Sequence, residues 1–146
     1  MTSLQRPVTF GLFDGIVCYL GVMLGLLGHP GLIIVAAIGI GAAEMVGMAA
    51  GEWLSESRNG FVPSLAIGVA TGAGAVIPAI PYGLGFPAWY ARGWSVGLIL
   101  AITAVIAWQR RGERSLPLAA AESYGVLLAA AVVVAVCVHF TPGGTA

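Results

Sequence analysis

The chain is 146 residues long, 59% hydrophobic and only 8% charged, with 22 glycines, no lysine and a formal net charge of zero. A mean hydropathy of +0.97 excludes a water-soluble domain of this size and points to an integral membrane protein. Zero net charge and the lack of a basic tract argue against a nucleic-acid partner.

Crossing ~30 Å of hydrocarbon takes about 20 apolar helical residues. By that rule the chain reads as all-α and polytopic, one transmembrane domain over 1–146 with five helices at roughly 8–28, 32–55, 61–85, 89–108 and 117–140. The first segment has the outline of a signal peptide, since Arg6 precedes an apolar run. Pro7 opens that run, however, Asp14 interrupts it, and no small-x-small cleavage site comes before His29-Pro30, so a retained helix is expected. The connections are short, Gly28-His29-Pro30-Gly31 after the first helix and about Ser57–Gly60 after the second, and force antiparallel neighbours. Pro78 and Pro81 fall in the outer half of the third helix, where each removes a backbone donor and predicts a kink. Freed carbonyls at such a break need partners, a feature of many membrane sites.

Trp53, Trp89, Tyr90, Trp94 and Trp108 cluster near predicted helix ends, as an interfacial aromatic belt does. Arg6, Arg58, Arg110, Arg111 and Arg114 fall on one side and only Arg92 on the other, so the N-terminus is expected in the cytoplasm and the C-terminus outside. Gly11/Gly15, Gly21/Gly25, Gly47/Gly51, Gly68/Gly72 and Gly93/Gly97 stand at four-residue spacing, which permits close helix approach. Five short helices enclose little volume, so a homodimer interface is a natural place for a pathway.

The acids carry the chemistry. An ionised carboxylate in the bilayer interior costs ~2.5 kcal/mol or more, so something must offset it. Asp14 shares a helical face with Gly11, Cys18, Gly21 and Gly25, and thus addresses a neighbouring helix. Glu44, Met48 and Glu52 form a stripe at i, i+4 and i+8 on the second helix, with Gly41, Met45 and Ser55 beside it. At ~1.5 Å per residue, Asp14 lies about 9 Å from the cytoplasmic end and Met48 about 7 to 8 Å, whereas Cys18 and Glu44 both lie at about 14 to 15 Å. Two levels are therefore expected, each pairing a carboxylate with sulfur. Mixed oxygen and sulfur donors suit ferrous iron or manganese better than magnesium or calcium. Carboxylates in hydrocarbon favour their protonated form and a bound cation displaces the proton, which offers a route to metal–proton exchange.

Of the other titratable residues, Glu122 is expected to pair with Arg110 or Arg114 or to join a cation vestibule, and Glu56 and Glu113 to be solvated loop acids. Cys18 and Cys137 lie in apolar segments without C-x-x-C spacing, and His29 and His139 lie towards the outer side. No nucleophilic triad or histidine metal cluster is legible, so no enzyme and no resident cofactor are expected.

Phe13-Asp14-Gly15-Ile16, Gly47-Met48-Ala49-Ala50-Gly51-Glu52-Trp53-Leu54-Ser55 and Gly74-Ala75-Val76-Ile77-Pro78-Ala79-Ile80-Pro81-Tyr82 resemble the vacuolar iron transporter family over roughly residues 8 to 86. The resemblance implies a five-helix homodimer that exports ferrous iron or manganese from the cytoplasm in exchange for protons. Asp14 and Met48 then correspond to the residues lining the translocation path, and Glu52 to the glutamate of the Gly-Glu-aromatic element. The chain looks like the short, nodulin-like branch, because about four residues stand where many members carry a long acidic metal-binding insertion. Ile40 stands where some members have an acid, with Glu44 one turn nearer as its candidate replacement, and Gly47 replaces the usual serine.

The expected function is thus proton-coupled export of a divalent transition metal, with Asp14, Cys18, Glu44, Met48 and Glu52 as the metal-handling residues. A multi-pass location is expected, in the cell membrane for a prokaryotic chain. The competing readings are a small proton-coupled exporter of organic cations and a non-transporting, glycine-packed scaffold.

Overall fold

Backbone amides in hydrocarbon must be satisfied within their own segment, and the computed structural model, which describes residues 4–55, 61–112 and 114–140, meets that demand with helices alone. In chain order these are α1 (Gln5–Gly25), α2 (Pro30–Ser55), α3 (Phe61–Val76), α4 (Ile80–Gly83), α5 (Ala88–Gln109) and α6 (Leu116–His139). A 3-10 turn, Ile77–Ala79, joins α3 to α4, so Phe61–Gly83 forms one broken span. The described residues thus contain five helices long and apolar enough to cross a membrane. This is the architecture of a multi-pass integral membrane protein.

Element limits follow local chemistry. α1 starts three residues before the expected residue 8, because Pro7 falls in the first turn, where its missing N–H forfeits no helical bond. Pro30 likewise opens α2. Pro78 and Pro81 break the third span as expected, and Gly85 ends its turn with φ +74°, a backbone setting that glycine adopts at no steric cost. The expected connection at Ser57–Gly60, together with Glu56, Arg58 and Glu113, lies outside the described residues.

α3 lies against both α1 and α2, and glycine permits this. A Cβ on Gly15 would stand 2.1 Å from the Thr71 carbonyl oxygen, and one on Gly68 would stand 2.3 Å from that of Met45. Of the five expected glycine pairs, Gly11/Gly15 and Gly68/Gly72 sit in such contacts. A Cβ on Gly21, Gly47, Gly51, Gly93 or Gly97 would meet nothing within 4 Å, and one on Gly25 only Val138 at 3.9 Å. Close packing is therefore a property of two pairs, not five.

Ile16, Tyr19, Leu20 and Met23 place α1 at the centre of the core, against Ile33 and Ala37 of α2, Tyr82 of α4, Ile99 of α5 and Leu127 of α6. The outer faces stay apolar and exposed, as at Val35 and Leu128, in keeping with lipid as the surrounding solvent. Trp53, Trp89, Tyr90, Trp94 and Trp108 are all exposed near helix ends, as an aromatic belt requires.

The break in the third span is tied to two other helices. Ser95 Oγ lies 2.8 Å from the Pro78 carbonyl oxygen and 2.7 Å from Tyr19 Oη, all buried. Arg92 donates to the Leu27 carbonyl at 2.7 Å, fastening the start of α5 to the end of α1.

Candidate metal centre

One face of α1 carries Arg6, Phe10, Asp14 and Cys18 at successive steps of four, and one face of α2 carries Glu44, Met48 and Glu52 in the same way. The helices run antiparallel, so the stripes oppose each other as rungs. The innermost rung is a cluster in which one ligand atom each of Asp14, Cys18 and Glu44 lies within 4.8 Å of the others. Among the described residues this is the grouping of three acid, thiol or imidazole side chains that could hold a metal ion.

The two levels expected from the sequence merge at Glu44, which faces both Asp14 and Cys18. The early start of α1 explains the difference. Counted from Gln5, Asp14 is about 13.5 Å into its helix, and counted from Ser55, Glu44 is about 16.5 Å and Met48 about 10.5 Å in. Asp14 therefore stands midway between Met48 and Glu44 in depth.

The geometry suits a small dication. Two ligands bound to one ion at ~2.0–2.3 Å lie at most ~4.6 Å apart, which a slight rotamer adjustment reaches from the observed spacing. All three residues are half-buried, and the Cys18 thiol is within hydrogen-bonding reach of the Glu44 carboxylate. Glu44 Oε2 is fully buried without a hydrogen-bond partner, a costly arrangement for an acceptor that a bound cation would relieve. Among the described residues neither Asp14 nor Glu44 is in an ion pair, so these acids are not simply salt-bridged.

Met48 and Glu52 stand outside the cluster. They line an open cavity of about 720 Å³ together with Arg6 and Phe10 of α1 and Pro63 and Ile67 of α3. Gly47 and Gly51 also line it, which accounts for the empty space where their Cβ atoms would be. Glu52, two turns or ~12 Å along α2 from Glu44, sits near the helix end, not in the cluster. Met45 packs elsewhere, its backbone against Gly68 and its side chain against Gly72. Phe10, and the place of Arg6 on this wall, escaped the sequence reading, although their steps of four back from Asp14 were the signal that could have found them.

Glu122 pairs with Arg110, which also reaches Ser123 Oγ at 3.3 Å, so the expected salt bridge forms. His29 follows the end of α1 and His139 ends α6, at the opposite end from Arg6. No family model, curated protein or solved structure matches the chain.

Proposed function

We propose that the protein is a proton-coupled exporter of a divalent transition metal, ferrous iron or manganese. The observation carrying this reading is the Asp14–Cys18–Glu44 cluster, two carboxylates and a thiol within 4.8 Å on two apolar helices, with a buried Glu44 oxygen left without a partner. The cation enters from the arginine-rich end, taken as cytoplasmic by the positive-inside rule, through the cavity lined by Glu52 and Met48. It then meets Asp14, Glu44 and Cys18, one turn beyond Phe10 and Met48. Binding displaces protons, and reprotonation from the other side releases the metal there. The motif resemblance to the vacuolar iron transporter family supports the same cargo and a homodimeric assembly.

The test is metal-dependent dye quenching in proteoliposomes for wild type, Asp14→Asn, Glu44→Gln and Met48→Ala. Uptake of iron or manganese in wild type, abolished by the first two and slowed by the third, is expected. Equal uptake in all four proteins would remove the site from the pathway. The size of the cavity, with Phe10 and Glu52 on its wall, favours an organic-cation exporter as the second reading. Dye efflux without metal uptake in wild type would establish that instead.

A further inference from the structure

On the reading above, a cation reaches the cluster from the arginine-rich end and must leave towards the other. Buried packing closes that side, where Ile16 and Tyr19 of α1 share one apolar cluster with Ile33 and Ala37 of α2 and Tyr82 of α4. Of the elements in this plug, Ile77–Gly83 is the one least held by its own backbone. Pro78 and Pro81 take two N–H donors out of it, a 3-10 turn forms one end, and Gly85 with φ +74° follows the other. Its side-chain bonds are also incomplete. Among the described residues, the buried side-chain atoms without a hydrogen-bond partner are Glu44 Oε2 in the metal cluster and, here, Tyr82 Oη and Arg92 Nε. Tyr82 stands beside Arg92, Tyr19 and Ser95, yet Tyr19 is bonded to Ser95 and Arg92 is drawn to the Leu27 carbonyl.

We propose that Ile77–Gly83 is the release-side gate of the transport path, shut in this structure, with Tyr82 and Arg92 as the positioning residues that set how readily it opens. The proposal rests on the transport reading, for whichever cation is carried. Parting the plug exposes apolar side chains, which opposes opening. Opening also brings water to Tyr82 Oη and Arg92 Nε, and the cost of leaving a buried donor or acceptor unpaired is then recovered. The two terms offset each other, so the shut state is held without being locked. The Arg92 bond to the Leu27 carbonyl, between the start of α5 and the end of α1, is the latch on the shut side. A purely structural kink has no use for the Tyr82 hydroxyl, because phenylalanine fills the same space and buries no orphan group.

Hydrogen–deuterium exchange of the purified full chain reads the opening directly, at the amides between Ile77 and Phe86. Tyr82→Phe should slow exchange there by about fivefold or more, and should slow manganese uptake into proteoliposomes by a similar factor. Manganese affinity, read by titration of the same variant, should stay at the wild-type value because the cluster is untouched. Arg92→Gln, which loses the latch, should speed exchange in the same stretch by about fivefold. The amides of α6 should exchange as in wild type in both variants, which distinguishes gate opening from loss of fold. Unchanged or faster exchange in Tyr82→Phe, slower exchange with undiminished uptake, or unchanged exchange in Arg92→Gln would overturn the gate while leaving the transport reading in place. Wild type that moves neither manganese nor an organic cation would overturn both.

Discussion

Glu44→Gln should make the metal-free protein more stable and the metal-loaded protein less so. Two carboxylates whose ligand atoms lie within 4.8 Å of each other repel by about 3.5 kcal/mol or more when both are charged, at an effective dielectric of 20. The glutamine removes that repulsion while keeping the shape of the side chain. Partial exposure already screens part of that repulsion in wild type, leaving a realised gain of about 1–2 kcal/mol. At about 4 °C per kcal/mol, the melting temperature in chelator should rise by roughly 4–8 °C. With manganese at about 100 times its dissociation constant, wild type gains ~2.7 kcal/mol from binding. Loss of one of three ligands lowers affinity by about 100-fold, at least the effect of deleting a ligand's supporting partner, and leaves the variant a gain of only ~0.4 kcal/mol. The order of melting temperatures therefore inverts between chelator and metal. Thermal unfolding in detergent under both conditions is the assay. A variant less stable than wild type in chelator, or stabilised equally by metal, would refute the reasoning and make Glu44 a structural acid.

Cys18→Ser exchanges a soft donor for a hard one, so affinity for zinc should fall about tenfold relative to manganese, read by competition in the uptake assay; an unchanged ratio would take sulfur out of the coordination. Gly15→Ala drives a methyl group into the Thr71 carbonyl and should cost ~2 kcal/mol or more. Gly47→Ala places its methyl in open space and should be neutral or gain up to ~1 kcal/mol from helix propensity; equal melting temperatures for these two variants would contradict the packing. Ser95→Ala strips the partner from Tyr19 and from the Pro78 carbonyl, for a loss of about 1–3 kcal/mol by chemical denaturation, and an unaltered midpoint would show that the break in the third span needs no support.

Much of this protein was legible in the sequence because a bilayer simplifies the problem. Hydropathy and length gave all five spans, and the cost of a buried charge singled out Asp14 and Glu44 before any contact was known. The proline break was also readable, since Pro78 and Pro81 cannot donate to a helical ladder. Its partner Ser95 was not, because nothing local ties a serine on one helix to a carbonyl on another. Glycine spacing misled at Gly47/Gly51. A missing side chain permits a close neighbour or an open cavity equally well, and only the position of α3 distinguishes the two.

The height of Asp14 against Glu44 depends on α3, which acts as a ruler between the other two helices. At one level of α3, the Ile67 carbonyl receives Gly11 while the adjacent Gly68 receives the backbone of Met45. One turn further on, the Thr71 carbonyl receives Gly15 while Gly72 receives the carbonyl of Gly41. Gly11 is thus matched to Met45 and Gly15 to Gly41. Asp14 falls between the two levels on α1 and Glu44 between them on α2, so the acids must meet. Hydropathy fixes a helix end only to within a few residues, and three residues are ~4.5 Å, nearly a full turn. An error of that size pairs Asp14 with Met48 instead. Backbone contacts through glycine tolerate far less slip, since each holds a carbonyl where a methyl group could not stand, and they set the register that brings two carboxylates and a thiol together.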